Sequence, residues 1–215
     1  MPADSARIIT QLAVQSRNSD RVSVFVNGEF AFGVHQAVAA KNGLAEGQPL
    51  SPEQEEAIQA DESLMQAKQH ALTYLAHKPR TEQEVRQKLE QREVAPAIID
   101  HVIRRMRDLD YVDDAAYATD YVRNRFASKQ YGPQRLTREL VQRGIDRNRA
   151  EAAVASFFEA HDTLEAARAH AKKRWPRIAG DDDPRRQKQK LYRYLMRRGF
   201  ASDTVYRVID EIVPS

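Results

Sequence analysis

One ten-residue pattern occurs three times in this sequence and constrains its fold more than any other feature. It stands as LTRELVQRGI at 136–145, VRQKLEQREV at 85–94 and LYRYLMRRGF at 191–200. Each copy has two apolar residues four positions apart, then an arginine, and apolar residues follow it at helical spacing. Self-similarity at a period of about fifty residues is the signature of a repeat architecture. Three copies of one helical unit are therefore predicted.

Helix start and stop signals divide each unit into three helices. In the first unit, Thr81 and Glu84 form a predicted capping box, because at this spacing each side chain can bond the backbone N–H of the other. Pro96 suits the first position of the next helix, where its missing N–H has no helical partner to lose. Asp113 or Asp114 is expected to cap the first helix of the second unit.

Glycine and proline mark the ends of the repeated ten-residue pattern, which we call the frame. The helix that carries each copy is its frame helix. Pro133 presets φ for the first turn of the second frame helix, and Gly132 before it is predicted to adopt a backbone angle that other residues avoid. Gly144 stands where helices commonly end in a left-handed residue. The first copy has Glu93 at that place, and because a non-glycine residue resists positive φ, the geometry of that helix end stays open.

Residues 7–33 differ from the rest of the chain and predict a small antiparallel sheet. This region holds three short segments rich in β-branched and aromatic residues, and apolar residues alternate with others in the second and third, as a strand requires. The Asn-Gly pair between the second and third segments suits a two-residue hairpin. Two or three strands are marginal alone, so they should pack on the short helix that Gly43 closes. Residues 47–63 are interpreted as a turn, with Ser51 as an N-cap and Pro52 at the first helical position.

These signals predict a mainly α fold of three tandem three-helix repeats, preceded by a small N-terminal antiparallel β-sheet extension. The expected boundaries are 1–60 for the extension and 61–112, 113–162 and 163–215 for the repeats. The extension would serve as a second contact surface or as a cap on the first repeat.

Composition and motif content exclude several classes of function. The chain has no cysteine, which excludes disulfides, thiolate metal sites and a cysteine nucleophile. It has no apolar run of about 18 residues and no signal-peptide pattern, so a cytoplasmic protein without membrane contact is expected. No P-loop, G-x-S-x-G, G-x-G-x-x-G or H-E-x-x-H motif occurs. No catalytic residue, metal site or cofactor is predicted.

The strongest functional signal is a basic excess in the last unit. Residues 163–215 hold thirteen Lys and Arg against seven Asp and Glu, although the whole chain carries a formal net charge of only +3. Helical spacing places one stripe of these cations on a single face, where it can bind phosphates or an acidic protein surface. The stripe is Arg186, Lys190, Arg193 and Arg197. The full candidate set for partner or nucleic-acid binding is Lys172, Lys173, Arg174, Arg177, Arg185, Arg186, Lys190, Arg193 and Arg197. The alternative is an ordinary solvated face.

Three other features have a plainer interpretation beside a functional one. Asp181, Asp182 and Asp183 could hold Mg²⁺, but a solvated loop that offsets nearby cations fits better, because no second acidic cluster completes a metal shell. Aromatic residues at helical spacing are expected in the core or at interfaces rather than stacked on bases; these are Tyr121, Tyr131, Trp175, Tyr192 and Tyr194. A structural role beside the helix dipole is expected for the frame arginines Arg92, Arg143 and Arg198.

The chain resembles the RecX family of regulatory proteins in four segments, namely ALTYLAHKPRTEQEVRQKL, YVDDAAYATDYVRNR, YGPQRLTREL and QRGI. The resemblance runs from about residue 65 to the C-terminus, and the sheet before it looks like an extension that only some members carry. It implies a curved, elongated array of three repeats and no catalytic activity. It also implies binding to the filament of a RecA-type recombinase on single-stranded DNA, with inhibition or modulation of ATP hydrolysis, strand exchange and co-protease activity in DNA repair and the SOS response.

Two other functions compete with that implication. A helical-repeat protein could bind DNA directly through its basic third repeat, with no recombinase involved. An enzyme could use the acidic loop with Mg²⁺. Salt dependence separates the first alternative from a protein partner, because phosphate binding weakens steeply as ionic strength rises.

Overall fold

The computed structural model describes residues 6–181 and 183–213, and its chain is mainly helical with a small antiparallel sheet at the start, as predicted. The helices are α1 (Gln36–Lys41), α2 (Pro52–Leu75), α3 (Glu82–Glu90), α4 (Pro96–Asp108), α5 (Asp114–Lys129), α6 (Pro133–Gln142), α7 (Arg147–Glu159), α8 (Thr163–Arg174), α9 (Pro184–Arg198) and α10 (Ser202–Ile212). They belong to two compact units. One holds the chain up to Lys78 together with Arg86–Asp108, and the other holds Pro79–Val85 and the chain from Leu109 onward.

The sheet of the first unit consists of β1 (Ile9–Gln15), β2 (Asn18–Val26) and β3 (Glu29–His35), with β2 in the centre. The predicted hairpin is confirmed: Asn27 and Gly28 join β2 to β3, both with positive φ. The sheet packs on α1 and on the start of α2 through an apolar core made of Ile9, Val24, Val26, Val34, Val38, Leu50 and Ile58. The sheet is therefore stabilised by helices, as a sheet of this size requires.

The interpretation of residues 47–63 as a turn is wrong from Pro52 onward. One continuous helix, α2, begins there and runs to Leu75, across the boundary expected at residue 60. Its start is the predicted one, because the Ser51 hydroxyl accepts from the Gln54 N–H at 3.2 Å and the Gln54 side chain accepts from the Ser51 N–H at 2.9 Å. The domain boundaries as a whole stay a prediction.

A buried carboxylate explains why the helical pattern of α2 is hard to see in the sequence. Glu62 follows the buried Ile58 by one helical turn and is only 6% exposed. Its two oxygens accept from the Arg21 guanidinium and from the His35 N–H, both at 2.7 Å. A charged residue thus occupies a core-facing position that an amphipathic pattern assigns to an apolar one, and it is stable there because both oxygens are bonded.

The first helical group consists of α2, α3 and α4. Helix α2 packs on α4, and an ion pair of 2.7 Å between Arg86 and Asp100 ties α3 to α4. The end of α3 keeps the left-handed geometry that the sequence left open, since Glu93 has φ +58°. A non-glycine residue in that region carries backbone strain of about 1–2 kcal/mol.

The second unit contains two further three-helix groups, each with its own core, and this confirms the predicted repeats. The core of α5–α7 contains Ala118, Val122, Leu136, Leu140, Ile145, Ala150 and Val154. The core of α8–α10 contains Ala167, Ala171, Leu191, Leu195, Phe200, Val205 and Ile209. Asp113 caps α5 by accepting from the N–H groups of Ala115 and Ala116, and it is the first of the two predicted residues.

The end of α9 docks on the start of α6, and glycines make this close approach possible. The Gly132 N–H donates to Arg198 O at 2.9 Å. The Gln134 N–H donates to Gly199 O at 3.0 Å. A Cβ on Gly132 would lie 2.5 Å from Gly199 C and 2.7 Å from Phe200 N. The unusual angle predicted for Gly132 is wrong, since its φ is −74°; glycine is needed here because no side chain fits.

The end of α6 docks in the same way on the first turn of α3. Thr81, which precedes that turn, donates its hydroxyl to Arg143 O at 2.7 Å and also accepts from the Glu84 N–H, so the predicted capping box is confirmed. Gly144 has φ +87°, which confirms its left-handed helix end, and a Cβ there would lie 2.5 Å from Gln83 Cγ. We call these two docking contacts joints. Both satisfy terminal N–H and C=O groups that a free helix end leaves unpaired.

Candidate functional site

The predicted basic residues lie on two surfaces of the α8–α10 group rather than on one. Three of them, Lys173, Arg174 and Arg177, line a cleft beside the end of α5. Lys172 is exposed on α8 outside the cleft lining, and the remaining five lie exposed on α9, namely Arg185, Arg186, Lys190, Arg193 and Arg197. The predicted set therefore combines two distinct surfaces of this group.

The cationic stripe on α9 is partly neutralised where the helix begins. Lys190 Nζ lies 2.6 Å from Asp181 Oδ2, and the hydrogen bond from this ammonium lowers the pKa of the Asp181 carboxyl. Arg186 lies 3.5 Å from the carboxylate of Asp183, the N-cap of α9. Arg193 and Arg197, further along, form no ion pair with any carboxylate in the described part of the chain. The second half of the stripe carries the uncompensated charge.

The acidic loop before α9 thus serves partly as a counterion to the stripe. Asp181 holds Lys190, while Asp183 accepts from the Arg185 N–H at 2.8 Å and so caps the helix. Asp182 lies outside the described residues.

The cleft is the larger concentration of positive charge. It has a volume of about 750 Å³ and lies between the end of α5, the last turn of α8 and α9. Five cations line it, namely Lys129, Lys173, Arg174, Arg177 and Arg198, and none of its described lining residues carries a carboxylate. Sequence reasoning missed Lys129 and Arg198 as members of this site. The first lies in another repeat, and the second was interpreted as a helix-end residue only.

Two tyrosine rings orient the arginines of the cleft. The Arg198 guanidinium carbon lies 5.3 Å from the ring centre of Tyr194 and 5.5 Å from that of Tyr131. The Arg174 guanidinium carbon lies 5.6 Å from the Tyr194 ring. At these distances the rings attract the cations and restrict their rotamers. Arg174 Nε is buried and has no hydrogen-bond partner in the described chain, whereas the residue as a whole is half-buried and lines the cleft.

His170 closes the wall of the cleft where α5 ends. Its Nε2 lies 3.1 Å from Lys129 O and 3.0 Å from Gln130 O, so this nitrogen carries the proton and donates to both carbonyls. Its Nδ1, at 3.3 Å from the Tyr194 hydroxyl, is then the acceptor. Burial, with a smaller contribution from the nearby cation of Arg198, lowers the pKa of His170. The imidazole is therefore neutral at physiological pH and covers the negative end of α5.

The aromatic residues singled out from the sequence pack against the two cores, which confirms the expected core or interface role. Tyr121 and Tyr131 belong to the α5–α7 core. Trp175, Tyr192 and Tyr194 pack on the α8–α10 core. Two of them, Tyr131 and Tyr194, also reach the cleft, as described above.

Family models match nearly the whole described chain. The first, second and third three-helix domains of RecX match residues 67–106, 113–154 and 161–209. The model described as the regulatory protein RecX N-terminal domain matches residues 7–51. The chain belongs to the RecX family of regulatory proteins. The family likeness therefore includes the N-terminal sheet, which the segments quoted from the sequence did not cover.

Individual relatives agree with this membership. The regulatory protein RecX of Leuconostoc citreum is 32% identical over 209 residues, which is 96% of this chain and 76% of that protein. The regulatory protein RecX of Bacillus subtilis is 30% identical over 207 residues, 95% of this chain and 76% of that protein.

Solved structures of the RecX family also match. A crystal structure of regulatory protein RecX superposes with a TM-score of 0.77 at 28% identity, and covers 95% of this chain and 99% of its own. The crystal structure of RecX from Lactobacillus salivarius has a TM-score of 0.64 at 30% identity, over 71% of this chain and 97% of its own. Within residues 6–181 and 183–213, the structure contains no helix that is long and apolar enough to span a membrane.

Proposed function

We propose that this RecX-family chain regulates a RecA-type recombinase by binding its filament on single-stranded DNA. The expected effect is inhibition of the filament's ATP hydrolysis, strand exchange and co-protease activity, in the cytoplasm, as part of DNA repair and the SOS response. Membership in a family of proteins named as regulators supports this proposal. The chain would act by binding and would catalyse no reaction of its own.

The observation that carries the proposal is the uncompensated charge on the third repeat. Arg193 and Arg197 lie exposed on α9 and have no carboxylate partner among the described residues. Exposed, unpaired cations contribute little to folding but strongly to association with an oppositely charged surface. An acidic rim of a protein filament or the phosphates of the enclosed DNA would meet that requirement.

The direct test is the single-stranded-DNA-dependent ATP hydrolysis of the host's RecA-type recombinase, measured with and without this protein at substoichiometric ratio. We expect a clear drop in hydrolysis, with little binding to bare DNA in a parallel titration. Unchanged hydrolysis together with tight, salt-sensitive binding to bare DNA would refute the proposal. That outcome would favour a protein that binds DNA directly, which the basic cleft makes the second candidate.

A double charge reversal tests whether the stripe on α9 is responsible for binding to the filament. The double variant Arg193→Glu and Arg197→Glu should weaken binding to the filament at least several-fold while the circular dichroism spectrum stays unchanged. The control is Arg104→Glu with Arg105→Glu, which makes the same charge change at exposed positions of α4. Equal weakening by both pairs would mean that only net charge matters, and the stripe would lose its assigned role.

A further inference from the structure

The basic cleft has the size and charge of a small-molecule site. Its volume of about 750 Å³ falls within the range of about 300–1,000 Å³ that is usual for ligand pockets. Its five cations come from three different elements, with Lys129 on α5, Arg198 on α9 and the others on or just after α8. Cations repel one another when no carboxylate lies between them, so an arrangement of this kind favours a bound anion with several charges.

Two details prepare the cleft for an anion rather than leaving it a solvated surface. The tyrosine rings hold Arg174 and Arg198 in place, which reduces the entropy that these side chains would lose on binding. Arg174 is also half-buried in the cleft wall, so its charge is partly desolvated already and attracts an anion more strongly than a fully solvated cation would.

His170 covers the carbonyl groups at the end of α5, which would otherwise repel an anion. The end of α5 directs the carbonyls of Lys129 and Gln130 toward this region, and a helix C-terminus carries partial negative charge. Because the imidazole donates to both carbonyls, they are no longer available to oppose a negative ligand.

We propose that this cleft binds a free anion with several adjoining phosphates, of the nucleoside triphosphate class. A phosphodiester backbone brings only one negative charge per nucleotide, whereas a triphosphate concentrates roughly three to four charges in one place, which matches the five cations better. Arg174 and Arg198 would contact the phosphates through their guanidinium forks, and Lys129, Lys173 and Arg177 would add charge. This is a binding site without a chemical step, and it does not depend on the proposed recombinase partner.

The test is calorimetric titration of the full chain in magnesium-free buffer with four separate ligands. These are ATP, inorganic tripolyphosphate, inorganic phosphate and an oligothymidylate. We expect one equivalent of ATP or of tripolyphosphate per chain, at least tenfold tighter than inorganic phosphate, with affinity that falls as salt rises. Cleft-dependent binding of the oligothymidylate, with no binding of ATP or tripolyphosphate, would overturn the proposal in favour of a nucleic-acid backbone.

Variants locate the binding within the cleft. Lys173→Glu with Arg177→Glu changes two exposed lining residues and should lower the affinity for ATP and tripolyphosphate at least tenfold. The control pair Arg104→Glu with Arg105→Glu makes the same charge change on α4 and should stay within twofold of the parent. If both pairs weaken binding equally, the anions bind through net charge and the proposed site is wrong.

A milder variant guards against misfolding as the cause. Arg174→Lys keeps the charge but loses the planar guanidinium fork, so a several-fold loss of affinity is expected. Trp175, the single tryptophan of the chain, is the residue next to Arg174, and its fluorescence reports whether each variant keeps the native packing around α8. Native fluorescence with undiminished affinity in Arg174→Lys would remove Arg174 from the site and refute its assigned role.

Discussion

Replacing Gly132 with alanine tests whether backbone contact determines the joint between α9 and α6. At φ −74° and ψ 166° alanine has no backbone strain, and by restricting the unfolded chain it would alone stabilise the protein by about 0.4–1 kcal/mol. The new methyl group, however, would meet Gly199 C and Phe200 N at 2.5 and 2.7 Å. Main-chain atoms cannot turn away as a flexible side chain can. The joint must therefore open.

The expected loss follows from the contacts that an opened joint gives up. Two backbone hydrogen bonds, Gly132 N–H to Arg198 O and Gln134 N–H to Gly199 O, would break or lengthen, at about 0.5–1.5 kcal/mol each. Displacing a packed segment adds about 1–3 kcal/mol. With the gain from the unfolded chain subtracted, we expect a destabilisation of about 3 kcal/mol.

The assay is urea unfolding followed by far-ultraviolet circular dichroism, with Trp175 fluorescence as a second probe because repeats can unfold separately. Gly180→Ala is the matched control. Gly180 has no positive φ, and a Cβ there meets nothing within 4 Å, so this variant should stay within about 0.5 kcal/mol of the parent. If Gly132→Ala unfolds at the same urea concentration as Gly180→Ala, the steric argument for the joint is wrong.

Two further predictions concern stability. Glu93→Gly should raise the melting temperature, because it relieves about 1–2 kcal/mol of strain at φ +58°, while the greater freedom of glycine in the unfolded chain costs only about 0.5–1 kcal/mol. Glu93→Ala keeps the Cβ and should not raise it; equal melting temperatures for the two variants would contradict this. Folding lowers the pKa of His170, so as the pH falls below about 6.5 the unfolded chain takes up a proton at this residue before the folded chain does. The stability that the neutral imidazole contributes is therefore fully present above that pH and is lost as the pH falls. The free energy of unfolding, measured in urea at several pH values, should therefore fall less steeply toward acid pH in His170→Gln than in the parent. A smaller slope should remain because the pKa of His70 is also lowered. An unchanged slope would contradict the assignment to His170.

The repeated fold could be predicted from the sequence because helical spacing is a local property. Leu136 and Leu140 stand at the interval that places them on one face of a helix, and both are buried. The first half of α2 was misinterpreted as a turn for a non-local reason. Glu62 faces the core there because Arg21, distant in sequence, supplies its ion pair. No pattern along the helix itself indicates that a carboxylate will have such a partner.

The candidate site was predictable only where its residues lie in one segment. A basic excess pointed to Lys173, Arg174 and Arg177. Arg198 lies beside them because α8 packs on α9 within the same group. Lys129, in another repeat, lies beside them because α9 docks on α6. That docking in turn rests on Gly132, whose role was misinterpreted. A glycine can serve a turn by its backbone freedom or a contact by its missing side chain, and only the residue opposite it in space decides between the two.

The joint between α9 and α6 also has a consequence for how such chains can change. Its hydrogen bonds join main-chain atoms of Gly132, Gln134, Arg198 and Gly199. Since N–H and C=O groups are common to nearly all residues, these two bonds demand little of the sequence beyond the glycines that allow the close approach. A third repeat taken from a distant relative should dock on α6 if it keeps a glycine after its frame arginine and a histidine at the position of His170, which bonds the end of α5. The main-chain part of the contact can then stay the same while the residues elsewhere on the surface of the repeat change.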